Sequence, residues 1–406
     1  VMLKNCNEHN HEKCDEKILN RQKINNAVKR KAEDDISIRL SNILHTEFKN
    51  GDILTLTTND VILIKQNIHH ARSLLHPKLP QSTYETQNAL KSMNIITNND
   101  ENFMFLNDFE KSIVGFSTKI SLNVLCDVKK IYIDGAFKSC PKYFTQIFTI
   151  HGYFKDIYVP LVFLLLPTKD SNIYVKAFQH VIYYCTSLSM TFHPPEMYVD
   201  FENGIHNAIK QVWTDIRIKG RRFHLGQSWC EQFRSWVCLR NTSLILIKVD
   251  LKYFFGLPFL NENEVVECFT EDLMAIKPCN DEKIDKFTDY ILNNYVYDDV
   301  AQFPLKIWSD FSASTNRTTN SCESFHSKLN GFFQLGHPNI FILVDTLLGI
   351  QSDIYVKLQS KATKKCKITL EKEQFLREHI KKYSSKQICR FEFLKSVSFK
   401  FLPATI

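Results

Sequence analysis

Between residues 103 and 239 the apolar positions fall into short runs of strand character, separated by stretches with helical spacing. Lys129 to Phe137 predicts a strand, and Phe144 to Phe154 alternates as a second. Tyr158 to Leu166 is apolar throughout and predicts a third, buried on both faces. Asn172 to Leu188 has the spacing of a helix. Pro194 and Pro195 interrupt the chain before Met197 to Asp200, which reads as a short buried strand. Gly204 to Trp213 then predicts a helix and Arg222 to Leu225 a short strand.

Three sequential strands, a helix, a strand, a helix and a strand form the order of an RNase H-like α/β fold. Its sheet is mixed, with helices on both faces. Strand signals thin out from Asn241 to Asn316, which predicts an all-α insertion. The segment from Thr319 to His326 then opens a helix that returns to the sheet. Ahead of the core, Ile36 to Asn98 reads as a small helical module, with Asn67 to Leu75 helical and Pro77 and Pro80 breaking it. The expected organisation is therefore 1–35, a polar and basic lead; 36–102, the helical or mixed module; and 103–239, the first part of the core. After these come 240–318, the insertion; 319–358, the returning core helix; and 359–406, a basic tail. There are no internal repeats.

At 406 residues the chain exceeds one small core. Its longest apolar run, Tyr158 to Pro167, is half of what a membrane span needs, so no membrane partner is expected. Twelve cysteines without a CxxC pair predict reduced thiols in an intracellular setting, not a disulfide framework. Cys140, Cys185, Cys230, Cys238 and Cys322 read as small buried hydrophobes, and none has the base that a thiol nucleophile needs. The net charge of +7 suits a polyanionic partner without requiring one. The first residue is Val1, which reads as a piece of a longer protein.

Three acids stand out. Asp134 ends the run Ile131-Tyr132-Ile133, Asp200 ends Met197-Tyr198-Val199, and Glu323 opens the late helix. A strand-end acid is ordinarily a turn former or a cap. Three of them in this order fit another use. Phosphodiester cleavage needs an activated nucleophile and a stabilised leaving oxygen, which two divalent ions about 3.5–4 Å apart supply. Carboxylates are the ligands for such ions, Mg²⁺ or Mn²⁺. Ser321 or Asn320 is expected to cap the Glu323 helix. His326 lies three residues beyond Glu323 on the same face, expected either near the phosphate or as a supporting group for Glu323. His224 reads as a core histidine or as one that orients the site. Trp229 and Trp236 read as helix core.

The run Asp134-Gly135-Ala136-Phe137-Lys138-Ser139-Cys140-Pro141-Lys142, with Gln146 to Gly152, resembles the opening of a Mutator-like element (MULE) transposase domain. Val159-Pro160-Leu161-Val162, Asp200-Phe201-Glu202, Arg222-Phe223-His224-Leu225-Gly226-Gln227 and Thr319 to His326 continue the resemblance over roughly residues 103–350. It implies a DDE transposase with the triad Asp134, Asp200 and Glu323, two Mg²⁺ or Mn²⁺ ions, and metal-dependent strand cleavage and strand transfer. It implies double-stranded DNA as partner, both transposon ends and target, with a homo-oligomer to hold two ends, in the nucleus. One position departs: the family carries a Cys where this chain has Arg221. The rival expectation is a domesticated relative that binds DNA without cutting it.

At the amino end, Cys6, His9, His11 and Cys14 offer four zinc ligands in nine residues, too close for one self-contained tetrahedral site. His9-Asn10-His11 resembles the closing half of a FLYWCH-type zinc finger, which would make 1–35 the end of a finger followed by a basic linker. The competing expectation is a solvated tail without Zn²⁺. Lys17, Arg21, Lys23, Lys29, Arg30 and Lys31, with the lysines at 361, 364, 365, 367, 381 and 382, are candidates for phosphate contacts or for solvated helix faces.

Overall fold

The computed structural model describes residues 15–34, 40–50, 55–75, 78–236, 252–277, 282–297, 299–315, 321–333, 335–361 and 365–402. Cys6, His9, His11, Cys14, Cys238, Asn320 and Lys364 lie outside them, as do all the residues between Trp236 and Lys252.

The chain is mixed α/β around a seven-stranded sheet. Three helices come first: α1 (Glu16–Asp34), α2 (Leu40–Asn50) and α3 (Thr58–Leu75). They bury Ile24, Val28, Ile43, Leu44, Ile64 and Ile68 in a small core of their own. Three basic residues of α1 are spent on acids within this unit, Arg21 on Asp60, Lys29 on Glu33 and Lys31 on Glu47. A fourth helix, α4 (Thr83–Ser92), is capped by Ser82 and leads into the sheet.

The strands are β1 (Met104–Asp108), β2 (Ile113–Phe116), β3 (Lys130–Ala136), β4 (Gln146–Phe154), β5 (Ile157–Leu166), β6 (Glu196–Val199) and β7 (Arg217–Gly220). Their order across the sheet is β1-β2-β5-β4-β3-β6-β7. The β3-β4-β5 meander is antiparallel, whereas β3, β6 and β7 run parallel. This arrangement is consistent with an RNase H-like fold. The hairpin between β4 and β5 turns on two residues, Lys155 and Asp156, both with positive φ, the geometry that matches strand twist. β5 is buried from Val159 to Leu166, which explains its unbroken apolar text.

Helices α5 (Lys119–Asp127), α6 (Ser171–Ser187), α7 (Asn203–Val212) and the Ile340–Gln359 helix complete the main core. Phe178 and Tyr174 of α6 pack on Phe148 of β4. Phe325 of the Ser321–Phe332 helix packs on Phe163 of β5.

One expected element is different. Arg222 to Leu225 is not a strand: it opens helix α8 (Arg222–Trp236), and the last strand among the described residues is β7, just before it. The polar pattern Arg217-Ile218-Lys219 hid a parallel edge strand that has little to bury. Gly220 ends β7 where a Cβ would stand 2.3 Å from the Phe201 ring, so a side chain there has no room.

The described residues between 252 and 315 are helical where they have regular structure. Lys252–Phe259, Glu262–Glu267, Glu282–Ile291 and Leu305–Trp308 form a second core with Leu225 and Trp229 of α8. The basic carboxy-terminal segment joins it. Its helices Lys367–Ser384 and Arg390–Lys400 contribute Leu376, Phe393, Leu394 and Val397 to that core. No described helix is long and apolar enough to cross a membrane.

Candidate functional site

The site begins with strand register. Tyr132 of β3 stands beside Tyr198 of β6, and Tyr198 beside Lys219 of β7. Two residues further on, at the carboxyl ends of these parallel strands, come Asp134, Asp200 and Arg221. Side chains two apart share a face, so all three rise on one side of the sheet. Below them Tyr132 and Tyr198 stack, with ring centroids 4.5 Å apart. Cys322 packs on this pair and seats the start of the Ser321–Phe332 helix. The next residue, Glu323, completes the group.

Arg221 lies in the middle. Its side chain is 1% exposed. Nη2 is 3.0 Å from Asp134 Oδ1, and Nη1 is 3.3 Å from Asp134 Oδ2 and 3.1 Å from Glu323 Oε1. Nε donates to Asp200 Oδ1 at 2.7 Å, and Nη2 also contacts that oxygen. Every nitrogen of the guanidinium is thus directed at an acid. The backbone is held too, since Arg221 N–H donates to Val199 C=O.

Two histidines flank the acids. His224, in the first turn of α8, places Nε2 2.7 Å from Glu323 Oε1 and 3.4 Å from Asp200 Oδ1. His326 has Nδ1 3.2 Å from Asp134 Oδ2 and Nε2 3.1 Å from Thr149 Oγ1. The Thr149 hydroxyl donates to the Asp134 carbonyl and also meets His151. His326 therefore supports Asp134 on β3, the strand its own helix packs against, whereas the supporting role expected for it was toward Glu323. Gly135 is crowded by the Gln146 amide, where a Cβ would fall 2.4 Å from Oε1, and its N–H donates to Asp134 Oδ1.

These contacts set the charges. Burial pushes the Asp134 carboxyl up, but the His326 hydrogen bond and the Arg221 charge outweigh it and hold the group well below the carboxylate range. Glu323 follows the same balance, with burial outweighed by His224 and Arg221, and its carboxyl is lowered. On Asp200 burial prevails against Arg221 and His224 and leaves the carboxyl raised. The guanidinium resists its own burial through Asp200 and Asp134 and is held firmly charged.

His206 of α7 was not legible from sequence. Its Nε2 donates to the Asp200 carbonyl at 2.7 Å and so fixes the turn after β6. Burial pushes its imidazole down to about 4. An unfolded imidazole takes up its proton near pH 6.5, and the folded one waits until about 4. The unfolded state binds more protons in that window, so stability must fall as pH drops from 6.5 to 4, by roughly 3 kcal/mol from this group. His151, pushed down to about 3 by burial, adds a loss of the same sign. Urea unfolding of the parent and His206→Gln at pH 7 and pH 4.5 checks this. The variant should lose markedly less stability on acidification, and equal losses would exclude His206 as a source.

All the core residues singled out in the sequence, Asp134, Asp200, Glu323, His224 and His326, meet in this one cluster. Ser321 is the first residue of its helix, not a cap. His9 and His11 lie outside the described residues. Arg221 entered the sequence reading only as a departure, although the strand register aims it at the acids.

Asp134, His224 and Glu323 each bring a ligand atom to within 4.8 Å of the others, a spacing that could hold a metal ion. Carboxylates and imidazole suit a hard or borderline divalent ion. Glu323 Oε2 is buried with no hydrogen-bond partner among the described residues. The guanidinium does not suit one. It already contacts Asp134 Oδ1, Asp200 Oδ1 and Glu323 Oε1, the oxygens an ion would draw on, and puts a positive charge among them. The acids fit a metal centre, and the arginine among them does not.

Residues 130–228 match the family model of the MULE transposase domain. The matched stretch carries Asp134, Asp200, Arg221 and His224 and ends before Glu323. It points to transposase-family function, with DNA binding in general and divalent metal use as properties of such domains. No curated protein matches the chain.

Proposed function

We propose that the chain is a DNA-binding protein of transposase descent, whose RNase H-like core holds Asp134, Asp200 and Glu323 as the acids of a DDE-type centre. One observation carries this reading: two adjacent parallel strand ends and a separate helix deliver three acids to one point, inside and beyond the matched stretch. Its partner is double-stranded DNA, its setting the nucleus, and a homo-oligomer is the assembly that would hold two DNA ends.

Two forms of this reading differ in what the centre does. Divalent ions, where such a centre binds them, activate the nucleophile and stabilise the leaving oxygen. Strand cleavage and strand transfer are favoured by the complete triad and its two histidines. Binding without cutting is favoured by Arg221, which satisfies the acids within the protein, and the geometry supports this second form best. The FLYWCH-type finger end at His9 and His11, with its Zn²⁺, belongs to the same proposal, as a further DNA contact.

A plasmid assay with Mn²⁺ separates these forms, using the parent, Asp134→Ala and Glu323→Ala, with DNA affinity followed by fluorescence anisotropy. Salt-sensitive DNA binding without nicking is the expected result. Nicking by the parent and by neither variant would establish the cleaving form instead. Absence of both DNA binding and nicking would overturn the reading.

A further inference from the structure

We infer that Arg221 is the resident cation of this centre: its guanidinium takes the place of divalent ions, so the acids close on the protein's own charge and load no metal. The inference rests on the reading of Asp134, Asp200 and Glu323 as a DDE-type centre.

Position is the first argument. Arg221 reaches the acids because of where it stands in the sheet. It follows Gly220, which pairs with Val199 in the β6–β7 ladder, and Phe201 packs against that glycine so closely that a Cβ there would fall 2.3 Å from its ring. The side chain is delivered to the row that already holds Asp134 and Asp200.

Satisfaction is the second. The fork spreads its nitrogens over three acids, at 2.7 Å from Asp200, 3.0 Å from Asp134 and 3.1 Å from Glu323. A planar fork of five donors suits converging carboxylates in a way a point charge does not. His224 and His326 share two of the same oxygens with the fork, Glu323 Oε1 and Asp134 Oδ2, and Glu323 Oε2 is buried without a hydrogen-bond partner among the described residues.

Exclusion is the third. A magnesium ion needs its oxygens at about 2.0–2.1 Å in octahedral array. Oxygens drawn in to that distance would place the ion against a guanidinium that is bound to the same atoms. A guanidinium bound to those oxygens would face the ion at close range and repel it, and the cation anchored in the chain is always present. Charge also favours the arginine at rest. Three acids brought together without a cation repel one another, and Arg221 offsets part of that repulsion without any ion from solution.

The test uses Mn²⁺ alone as probe, on the full chain. Binding is read by electron paramagnetic resonance of free Mn²⁺, and the unfolding temperature is measured in EDTA and in Mn²⁺. The parent should show no site that depends on Asp134, and its unfolding temperature should be the same in both buffers. Arg221→Ala empties the space without adding a ligand. It should bind Mn²⁺ at least tenfold more tightly than the parent, unfold at higher temperature with Mn²⁺ than without, and lose both properties when Asp134→Asn is added. A parent site removed by Asp134→Asn would overturn the inference, as would folded Arg221→Ala binding no more tightly than the parent.

Arg221→Ala leaves three acids facing each other, so a second variant decides the matter if it fails to fold. Glu323→Gln in the parent background, in EDTA, should lower the unfolding temperature because it strips the arginine of a partner. In an open metal site the same change relieves repulsion and raises the unfolding temperature, and that result would sink the inference. DNA affinity is measured separately. Its absence would count against the proposed function and leave these metal results standing.

Discussion

Arg221→Met is expected to destabilise the protein by roughly 3–5 kcal/mol in metal-free buffer at pH 7, the cost typical of removing one partner from a buried charge group. Methionine fills much of the same volume, so the loss reports charge more than cavity. The reason is the asymmetry of buried ion pairs. Arg221 is 1% exposed and Asp134 5%. Without the guanidinium, Asp134 keeps only His326 and the Gly135 N–H, and Glu323 keeps His224. Asp200 retains His224 at 3.4 Å and becomes the least satisfied of the three. Adding Glu323→Gln to Arg221→Met should recover at least 1 kcal/mol, because it removes one of the stranded charges. Urea denaturation of the parent, both single variants and the double variant closes the cycle. A loss under 1 kcal/mol for Arg221→Met would mean that the acids are satisfied by other groups and that the arginine is incidental.

The cycle bears on which parts of this centre were readable in the sequence. Asp134 and Asp200 were legible because each ends an apolar run that can only be a strand. Glu323 was legible because its helix opens after a long gap in strand signal. Their convergence needed the parallel pairing of β3 with β6, which follows from the helix between them. Arg221 was visible as a residue out of pattern, but its role depended on β7, and β7 was misplaced. Arg217-Ile218-Lys219-Gly220 has one apolar residue in four and offers no periodicity to detect. Once Arg222 to Leu225 was taken as the strand, Arg221 sat before it, and the row with Asp200 was lost. His326 shows a different limit. Spacing along its helix relates it only to Glu323, whereas its contacts are with Asp134 and Thr149 of the sheet. Likewise His206 acts through a backbone carbonyl, and no residue pattern reports such a bond in advance.

Trp229→Ala is expected to cost about 3–5 kcal/mol, the range for truncating a large buried aromatic side chain. Helix α8 begins beside the acids, with His224 in its first turn, and runs into the second core. Trp229 is the wedge there: fully buried, with Phe255, Tyr295 and Trp308 around it at ring distances of 5.7–5.9 Å, each edge-on. Those three partners come from three separate segments of the insertion, so one truncation loosens all of them and the anchor of α8 at once. Trp229 Nε1 is buried without a hydrogen-bond partner among the described residues. Trp229→Phe gives up area but also removes that stranded donor, and should therefore cost less than half as much as alanine. Urea unfolding of both variants measures the difference. If alanine costs less than 1 kcal/mol, the insertion does not hold α8 through this residue. Phenylalanine costing as much as alanine would show that the indole nitrogen has found a partner. The expected ordering, with the loss set by ring area and not by the indole N–H, ties the position of His224 and Arg221 to an apolar cluster with no charge of its own.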